Sequence, residues 1–180
     1  MVNEVSVARA VRDIAPGSRV LAAPCCGTPE TLLRELGRHA ERADGIQLTT
    51  GLTFGSFPFA PAVRNKTLRY RSWHPSGTGR DLVRDGLAEY LPLRASDVRA
   101  TIAGHVDVLL LRVSPPGRDG WCCTGPTASF TRAAVEAAAR VIAEVDPDLP
   151  RTTGDSRVHL SEIASLVDSD DDTPRPPEPP

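Results

Sequence analysis

An apolar run, VDVLLLRVS at positions 106–114, stops at two consecutive prolines, Pro115 and Pro116. Its apolar side chains are continuous rather than alternating, which is typical of a strand that is covered on both faces of a parallel sheet. Proline cannot donate a ladder hydrogen bond, so the strand is predicted to end at this point. The run therefore favours a domain in which helices flank both faces of a sheet.

Strand-like and helix-like segments alternate along the rest of the chain. Short strands are predicted at SRVLAA (18–23), GIQLTT (45–50) and TLRYRSW (67–73). Helix-like segments separate most of them. This alternation predicts an α/β domain with an open, mainly parallel sheet and flanking helices.

Two segments have the features of longer helices. In TPETLLRELGRHAERA (28–43), Thr28 is the predicted N-cap, and Pro29 stands where the first helical residue needs no N–H donor. In ASFTRAAVEAAARVIAEV (128–145), apolar residues fall at helical spacing, so one helix is predicted over the whole segment. The apolar stripe of that helix consists of Val135, Ala138, Val141, Ile142 and Val145.

The composition narrows the class of protein. Apolar residues make up 40% of 180 positions, which suits one globular domain with a hydrophobic core. A formal net charge of -2 gives no general reason to expect binding to nucleic acid or to an anionic membrane. No stretch approaches the roughly 20 apolar residues that span a bilayer. Residues 1–17 lack the features of a signal peptide, so a cytoplasmic location is predicted.

The last thirteen residues, DSDDDTPRPPEPP, differ from everything before them. They contain five acidic residues and five prolines, a composition that does not support a packed element. The predicted organisation is therefore an α/β domain at 1–167 and an acidic, proline-rich, disordered tail at 168–180. The tail is interpreted either as a solvated end or as a linker.

Two loops are predicted at the carboxyl ends of strands, where open parallel sheets bind ligands. One is PCCGTPE (24–30) and the other is SPPGRDGWCCTGP (114–126). Both precede predicted helices, whose N-terminal N–H groups and dipole favour anions. The alternative is that both are ordinary connections between a strand and a helix.

The four cysteines form two adjacent pairs, Cys25-Cys26 and Cys122-Cys123. Structural zinc sites usually need a C-x₂₋₄-C spacing, so no metal site is predicted. Buried thiols are the preferred interpretation. Cys26 remains a candidate reactive thiol because it lies close to a predicted helix N-terminus.

A basic segment at 64–84 carries one lysine and five arginines against a single acidic residue, with Tyr and Trp between them. It could form a solvated surface, a nucleic-acid surface or a phosphate-binding pocket. The slightly negative whole chain argues against nucleic acid. Arg69, Arg71 and Arg80 are kept as candidate phosphate contacts.

Several motifs, in the same order along the chain, resemble the acetyl-CoA hydrolase/transferase family, which includes 4-hydroxybutyrate and acetate CoA-transferases. They are VLAAPCCGTPETLL (20–33), GRDLVRDGLAEYLPL (79–93), the Ser-Pro-Pro and Gly-Trp-Cys motifs within 114–125, and DPDLPRTTGDS (146–156). The resemblance covers about residues 14–167 and only the family's N-terminal domain. Three positions depart from the family pattern: Gly117 replaces Asp, Asp146 replaces Asn, and Thr153 replaces His.

The resemblance implies the fold of a NagB/RpiA-like N-terminal half and a chemistry of acyl transfer between coenzyme A and a carboxylate. In the family, a second domain carries the nucleophilic glutamate and the main glycine-rich CoA loop. No catalytic residue is therefore expected on this chain. Its own glutamates, Glu30, Glu35, Glu136 and Glu144, fall in predicted helices and match no family motif. The residues expected to wall the active site are Gly27, Thr28, Pro29, Ser114, Pro115, Pro116, Gly120 and Gly125.

The resulting hypothesis is an N-terminal-type subunit of a two-chain CoA-transferase or acyl-CoA hydrolase. Its expected substrates are acyl-CoA and a carboxylic acid, with no metal, and its expected partner is a second subunit that carries the catalytic glutamate. Arg69, Arg71 and Arg80 become candidate CoA contacts. The alternative is a non-catalytic relative that binds CoA esters or a protein partner.

Overall fold

The computed structural model describes residues 3–176. The strands within these residues are β1 (Asn3–Glu4), β2 (Arg19–Ala22), β3 (Gln47–Thr50), β4 (Arg69–Ser72), β5 (Glu89–Tyr90), β6 (Val108–Val113), β7 (Trp121–Cys123), β8 (Arg140–Val145), β9 (Arg157–His159) and β10 (Ser165–Asp168). The α-helices of the same part of the chain are α1 (Val7–Arg12), α2 (Glu30–Ala40), α3 (Ala60–Arg64), α4 (Gly77–Arg84), α5 (Val98–Ile102) and α6 (Thr131–Ala137). Short 3₁₀ turns occupy Ala95–Asp97 and Leu160–Glu162.

Within the described residues, the main sheet has eight strands in the order β1-β10-β8-β6-β2-β3-β4-β5, and every neighbouring pair is parallel. The strands β7 and β9 form a separate antiparallel pair. The predicted α/β fold with a mainly parallel sheet and flanking helices is therefore confirmed. None of the helices between residues 3 and 176 is long and apolar enough to cross a membrane.

The strand β6 lies near the middle of the sheet, and all six of its residues are buried. Val108 and Leu110 belong to the core beneath α1 to α4. Leu109, Leu111 and Val113 belong to the core beneath α5 and α6. Successive side chains of a strand point to opposite faces, so a continuous apolar run fills both cores at once.

The helix predicted over 128–145 is wrong in its second half. The helix α6 ends at Ala137, the backbone is extended at Ala138, and residues 140–145 form the buried strand β8 between β6 and β10. Val141 and Ile142 are β-branched, and their parallel partners in β6 are Leu109 and Leu110. Tertiary pairing thus overrides an apolar spacing that would also suit a helix.

Three smaller predictions also need correction. Thr28 is not the N-cap of α2, because Pro29 occupies that position and the Thr28 hydroxyl donates instead to the Cys25 carbonyl at 2.7 Å. The strand β7 was not expected, since Trp121 to Cys123 was assigned to a loop. Glu144 lies on β8 rather than on a helix.

Part of the predicted tail makes contacts with the domain. Residues 168–173 lie against the domain: Asp168 ends β10, the Ser169 hydroxyl donates to Glu144, and the Thr173 hydroxyl donates to Asp146. Local composition did not reveal these contacts, because their partners are more than 20 residues away in the sequence. Residues 177–180 of the predicted tail lie outside the described residues.

Candidate functional site

The two predicted loops follow β2 and β6, which are neighbouring strands. Between these two strands, the direction in which the chain adds further strands to the sheet reverses. From β2 the chain builds β3, β4 and β5 on one side, whereas from β6 it builds β8 and β10 on the other. Leu21 pairs with Leu109, and Ala22 pairs with Leu110. A crevice beyond the carboxyl ends of two such strands is the usual ligand position in an open α/β sheet.

The loop after β2 is a tight turn whose tip consists of the half-buried Cys25 and Cys26. Cys25 has a left-handed backbone, with φ at 54°, which is uncommon for a residue with a side chain. Its N–H donates to the Leu52 carbonyl at 2.8 Å, so the loop is tied to the end of β3. The backbone of this turn is therefore fixed by its neighbours.

Gly27, Thr28 and Pro29 are buried beneath that tip. The Gly27 carbonyl accepts the N–H of Arg112 at 3.2 Å, and the Thr28 carbonyl accepts its Nε at 3.1 Å. These three residues support the turn from below, whereas Cys25 and Cys26 form its accessible surface.

The loop after β6 is a hairpin rather than an irregular loop. The Ser114 N–H donates to the Cys123 carbonyl at 2.8 Å, and the Cys123 N–H donates to the Ser114 hydroxyl at 3.0 Å. The Gly120 N–H closes a turn on Gly117, and Gly120 has a left-handed φ of 76°. The half-buried Pro115 and the exposed Pro116 lie between Ser114 and that turn. In the sequence, a Gly-x-x-Gly turn is followed directly by Trp-Cys-Cys, and this pattern is the local signal that indicates β7.

Gly125 ends this loop with a left-handed φ of 72°. A Cβ atom at this position would lie 2.8 Å from Cδ1 of the buried Leu149. Close approach and backbone conformation therefore both call for glycine here.

A buried charged cluster surrounds Arg112 near the end of β6, and sequence patterns did not reveal it. Arg112 donates Nη1 to Asp146 at 2.9 Å, and its Nη2 lies 2.6 Å from Glu144. Nη1 also donates to the carbonyls of Asp171 and Asp172. A single arginine thus connects the turn after β2, the end of β8 and the segment after β10.

The N-terminus of α2 binds a carboxylate of the chain itself. The Leu32 N–H donates to Oε2 of Glu144 at 3.0 Å. Burial raises the pKa of Glu144 to about 7, and this effect outweighs the lowering by Arg112, Leu32 and Ser169. The expected anion-binding role of this helix N-terminus is therefore filled internally at Leu32.

A cavity at this edge of the sheet has a volume of about 580 Å³. We call it the strand-end cavity. Its walls are formed by the residues that follow β2, β3 and β4, including Cys25, Leu52 and Trp73, and by side chains of α5 and α6. A second cavity of about 450 Å³ lies between Cys26, Pro126 and residues 172–176. The tip of the loop after β2 therefore contributes to both cavities: Cys25 lines the strand-end cavity, and Cys26 lines the second one.

The three candidate phosphate contacts are not brought together. Arg69 and Arg71 stand two residues apart on β4 and share one face of the sheet. Arg71 donates Nε to the Thr49 hydroxyl at 2.9 Å. Arg80 is carried by α4, which packs on the other face, and it donates to the Pro75 carbonyl at 3.2 Å. A pocket shared by all three arginines is excluded.

The thiols differ in their surroundings. Burial raises the pKa of Cys122 to about 11 and also raises the pKa of Cys25. Burial opposes ionisation of Cys123 as well, but hydrogen bonds from the Thr152 and Gly125 N–H groups and from nearby hydroxyls lower its pKa overall. Among residues 3–176, no three His, Cys, Asp or Glu side chains converge as a metal site would require.

Comparisons with known proteins place this geometry in a family. Residues 4–176 match the family model of the acetyl-CoA hydrolase/transferase N-terminal domain. The chain is 32% identical over 168 residues to the 4-hydroxybutyrate coenzyme A transferase of Clostridium kluyveri, covering 92% of this chain and 39% of that protein. It is 31% identical over 155 residues to the succinyl-CoA:acetate/propanoyl-CoA:succinate CoA transferase of Fasciola hepatica, covering 83% of this chain and 32% of that protein.

A solved structure gives the same fold. RipA from Yersinia pestis superposes with a TM-score of 0.89 at 21% identity, covering 98% of this chain and 44% of that one. The chain therefore spans about a third to two fifths of the length of the curated relatives named above.

Proposed function

Because the chain belongs to the acetyl-CoA hydrolase/transferase family as its N-terminal domain, we propose that it is the N-terminal-type subunit of a two-chain CoA-transferase or acyl-CoA hydrolase. A partner subunit would supply the nucleophilic glutamate. The substrates would be an acyl-CoA thioester and a carboxylic acid or water. A heteromeric assembly in the cytoplasm is part of the same proposal.

The state of the chain's own carboxylates carries this proposal. Glu144 is fully buried and bonded to Arg112 and α2, and the mostly buried Glu30 accepts the Ser56 N–H. Glu136, at the rim of the strand-end cavity, pairs with Arg132 at 3.2 Å. A nucleophile for a thioester must reach the carbonyl carbon, and burial or engagement by these partners holds the three carboxylates back from it. A glutamate from another chain meets this requirement better than these three residues do.

The expected reaction has two covalent stages. The partner's glutamate attacks the thioester, releasing CoA as a thiolate and leaving an acyl-glutamyl anhydride, and the thiolate then attacks the glutamyl carbonyl and releases the carboxylate. An incoming carboxylate or water completes the cycle. Each tetrahedral stage places negative charge on an oxygen, which preorganised donors stabilise. The turn at Gly27, Thr28 and Pro29 and the hairpin from Ser114 to Gly125 would hold one side of this site in place.

The decisive experiment is to isolate the protein with its native partners and to assay CoA transfer from an acyl-CoA to a carboxylate. The proposal predicts no transfer by the chain alone and transfer by the complex. Replacement of the partner's glutamate by glutamine should abolish transfer without dissociating the complex. Robust turnover by the isolated chain would contradict the proposal. Binding without turnover in every combination would favour the alternative, a non-catalytic relative.

A further inference from the structure

We propose that the strand-end cavity binds the hydrocarbon part of the acyl group, and that it suits bulky apolar acyl groups of about five carbons or more rather than acetyl. This inference rests on the proposed function, because it assigns a place to one of the expected substrates. It concerns a site separate from the loop residues Gly27 to Pro29 and from the buried cluster around Arg112.

The size of the cavity is the first support. Its volume is about 580 Å³, within the roughly 300–1,000 Å³ of small-molecule sites. An acetyl group adds only one methyl group to the carbonyl carbon and would leave most of this space unfilled. A branched or cyclic hydrocarbon would fill more of it and would remove more apolar surface from water.

The walls of the cavity favour a hydrocarbon. Trp73 and Phe130 meet edge to face in its wall, with ring centroids 5.2 Å apart and planes at 70°. Leu52, Leu93 and the buried Val98 extend the apolar wall. These residues come from the ends of β3 and β4, from the start of α5 and from the turn before α6.

The position of Trp73 depends on a glycine. A Cβ atom on Gly51 would lie 2.8 Å from Cζ2 of Trp73 and 3.0 Å from Cε2. The indole can therefore lie flat over the end of β3 only because residue 51 has no side chain. One cavity wall is thus set by the backbone beneath it.

Three of the four charged side chains that line the cavity pair with one another, and the fourth is Asp155. Arg132 contacts Glu136 at 3.2 Å and also pairs with Glu162. Arg99, whose side chain is 79% exposed, lies 3.9 Å from Glu136. Because these charges largely compensate, they do not call for a second charged group on the ligand. An acyl group with its carboxyl or thioester end near Cys25 and an uncharged body against the aromatic rings matches this arrangement.

The fluorescence of Trp73 provides a direct test. The chain has two tryptophans, and Trp121 lies against His159 and Arg157 rather than in this cavity. In the Trp121→Phe protein, Trp73 is the sole tryptophan. We expect its emission to change saturably on titration with hexanoate or cyclohexanecarboxylate, with an affinity at least about tenfold higher than for acetate, because each buried methylene adds affinity.

A substitution that fills the cavity, compared with the same substitution on the surface, shows whether the ligand binds in the cavity or elsewhere. In the Trp121→Phe background, Ala133→Phe places a ring inside the cavity and should weaken hexanoate binding at least about tenfold. Ala100→Phe places the same ring on an exposed position of α5 and should leave binding unchanged. The thermal unfolding of both variants shows that they are folded.

Three outcomes would overturn the inference: no saturable change of Trp73 emission, equal affinity for acetate and hexanoate, or equal binding by the two phenylalanine variants. A response to CoA without a response to hexanoate would also overturn it. Because the readout is binding to the single chain, failure of CoA transfer in the complex would contradict the proposed function and leave this result intact.

Discussion

Arg112 and Glu144 form an ion pair in which both side chains are fully buried. Nη2 lies 2.6 Å from Oε1, and neither side chain has exposed surface. Among the described residues Nη2 has no well-aligned hydrogen bond, so its attraction to Glu144 is chiefly electrostatic. The pair sits beneath the N-terminus of α2 and beside the predicted active-site loops. Its integrity should therefore govern both the stability of the domain and the shape of that edge.

Replacement of Arg112 by methionine should destabilise the domain by about 3–5 kcal/mol, because Glu144 and Asp146 would remain buried without their cation. The measurement is the free energy of unfolding in urea. Arg84→Met is the matched control, since Arg84 pairs with Asp81 on the surface with a side chain that is 72% exposed. It should change stability by less than about 0.5 kcal/mol. Equal effects of the two substitutions would contradict a special role for Arg112.

The pKa of Glu144 predicts a pH dependence of stability. Its folded value of about 7 lies above the usual value, because burial penalises the charged form. The folded chain therefore holds this proton between about pH 4.5 and 7, whereas the unfolded chain does not. The stabilisation that this proton gives to the folded chain is complete below the pKa of Glu144 in the unfolded chain, and it is lost as pH rises through 7.

Urea unfolding at pH 5 and at pH 7.5 checks this dependence. The difference in stability between the two values should be larger in the native protein than in Glu144→Gln, by on the order of 2–3 kcal/mol. The two proteins differ only at residue 144, so the comparison isolates the contribution of Glu144. Parallel stability profiles would show that Glu144 is charged throughout this range.

The segment after β10 should be protected from hydrogen exchange. Asp170 donates its N–H to the Thr31 hydroxyl at 3.1 Å, and Arg34 pairs with both Asp170 and Asp171. Arg34→Leu should increase exchange in a peptide spanning 169–173 severalfold, which corresponds to about 1 kcal/mol for partly exposed pairs. Arg38→Leu, one turn later on α2, should leave it unchanged, because Arg38 pairs only weakly with Glu35 at 3.2 Å. Rapid exchange of this peptide in the native protein would support the disordered tail that composition predicts.

The sheet could be predicted from the sequence where a strand is locally distinct. The run that became β6 is apolar throughout and ends at prolines, so local pattern and tertiary environment agree there. Residues 140–145 lack such a signal, since a glutamate and alternating small and branched residues suit either a helix or a strand. Pairing with β6 and β10 decides between them, and the paired residues lie 32 positions earlier and 23 positions later in the chain.

For the candidate site, sequence patterns predicted the two backbone loops but not the side-chain contacts around them. Glycine, proline and the strand ends indicated the two loops, but not that Thr28 is buried or that Ser114 begins a hairpin. The Arg112 cluster and the strand-end cavity each combine segments that are far apart in sequence. Phe130, for example, meets Trp73, which lies 57 positions earlier in the chain. No local periodicity reports such contacts.

Gly125, one of the predicted site residues, should tolerate alanine poorly. A left-handed backbone costs a residue with a side chain about 1–2 kcal/mol, and the contact with Leu149 adds about 1–3 kcal/mol of overpacking. Gly104→Ala isolates the backbone term, because Gly104 has a φ of 69° and its Cβ would meet nothing within 4 Å. Thermal unfolding should therefore show a larger loss for Gly125→Ala than for Gly104→Ala. Equal losses would mean that Leu149 moves aside without cost.

Glu136 provides a test of where the nucleophile resides. It is the glutamate of this chain that lines the strand-end cavity, but its carboxylate pairs with Arg132 and lies 3.9 Å from Arg99. Such pairing engages the carboxylate oxygens and reduces their tendency to attack a carbonyl carbon. Glu136→Gln should therefore retain CoA transfer in the complex within about tenfold, whereas loss of a covalent nucleophile costs several orders of magnitude. The control is Glu41→Gln on the exposed surface after α2. A loss of more than about a thousandfold in Glu136→Gln alone would place the nucleophile on this chain and overturn the need for a glutamate from a partner.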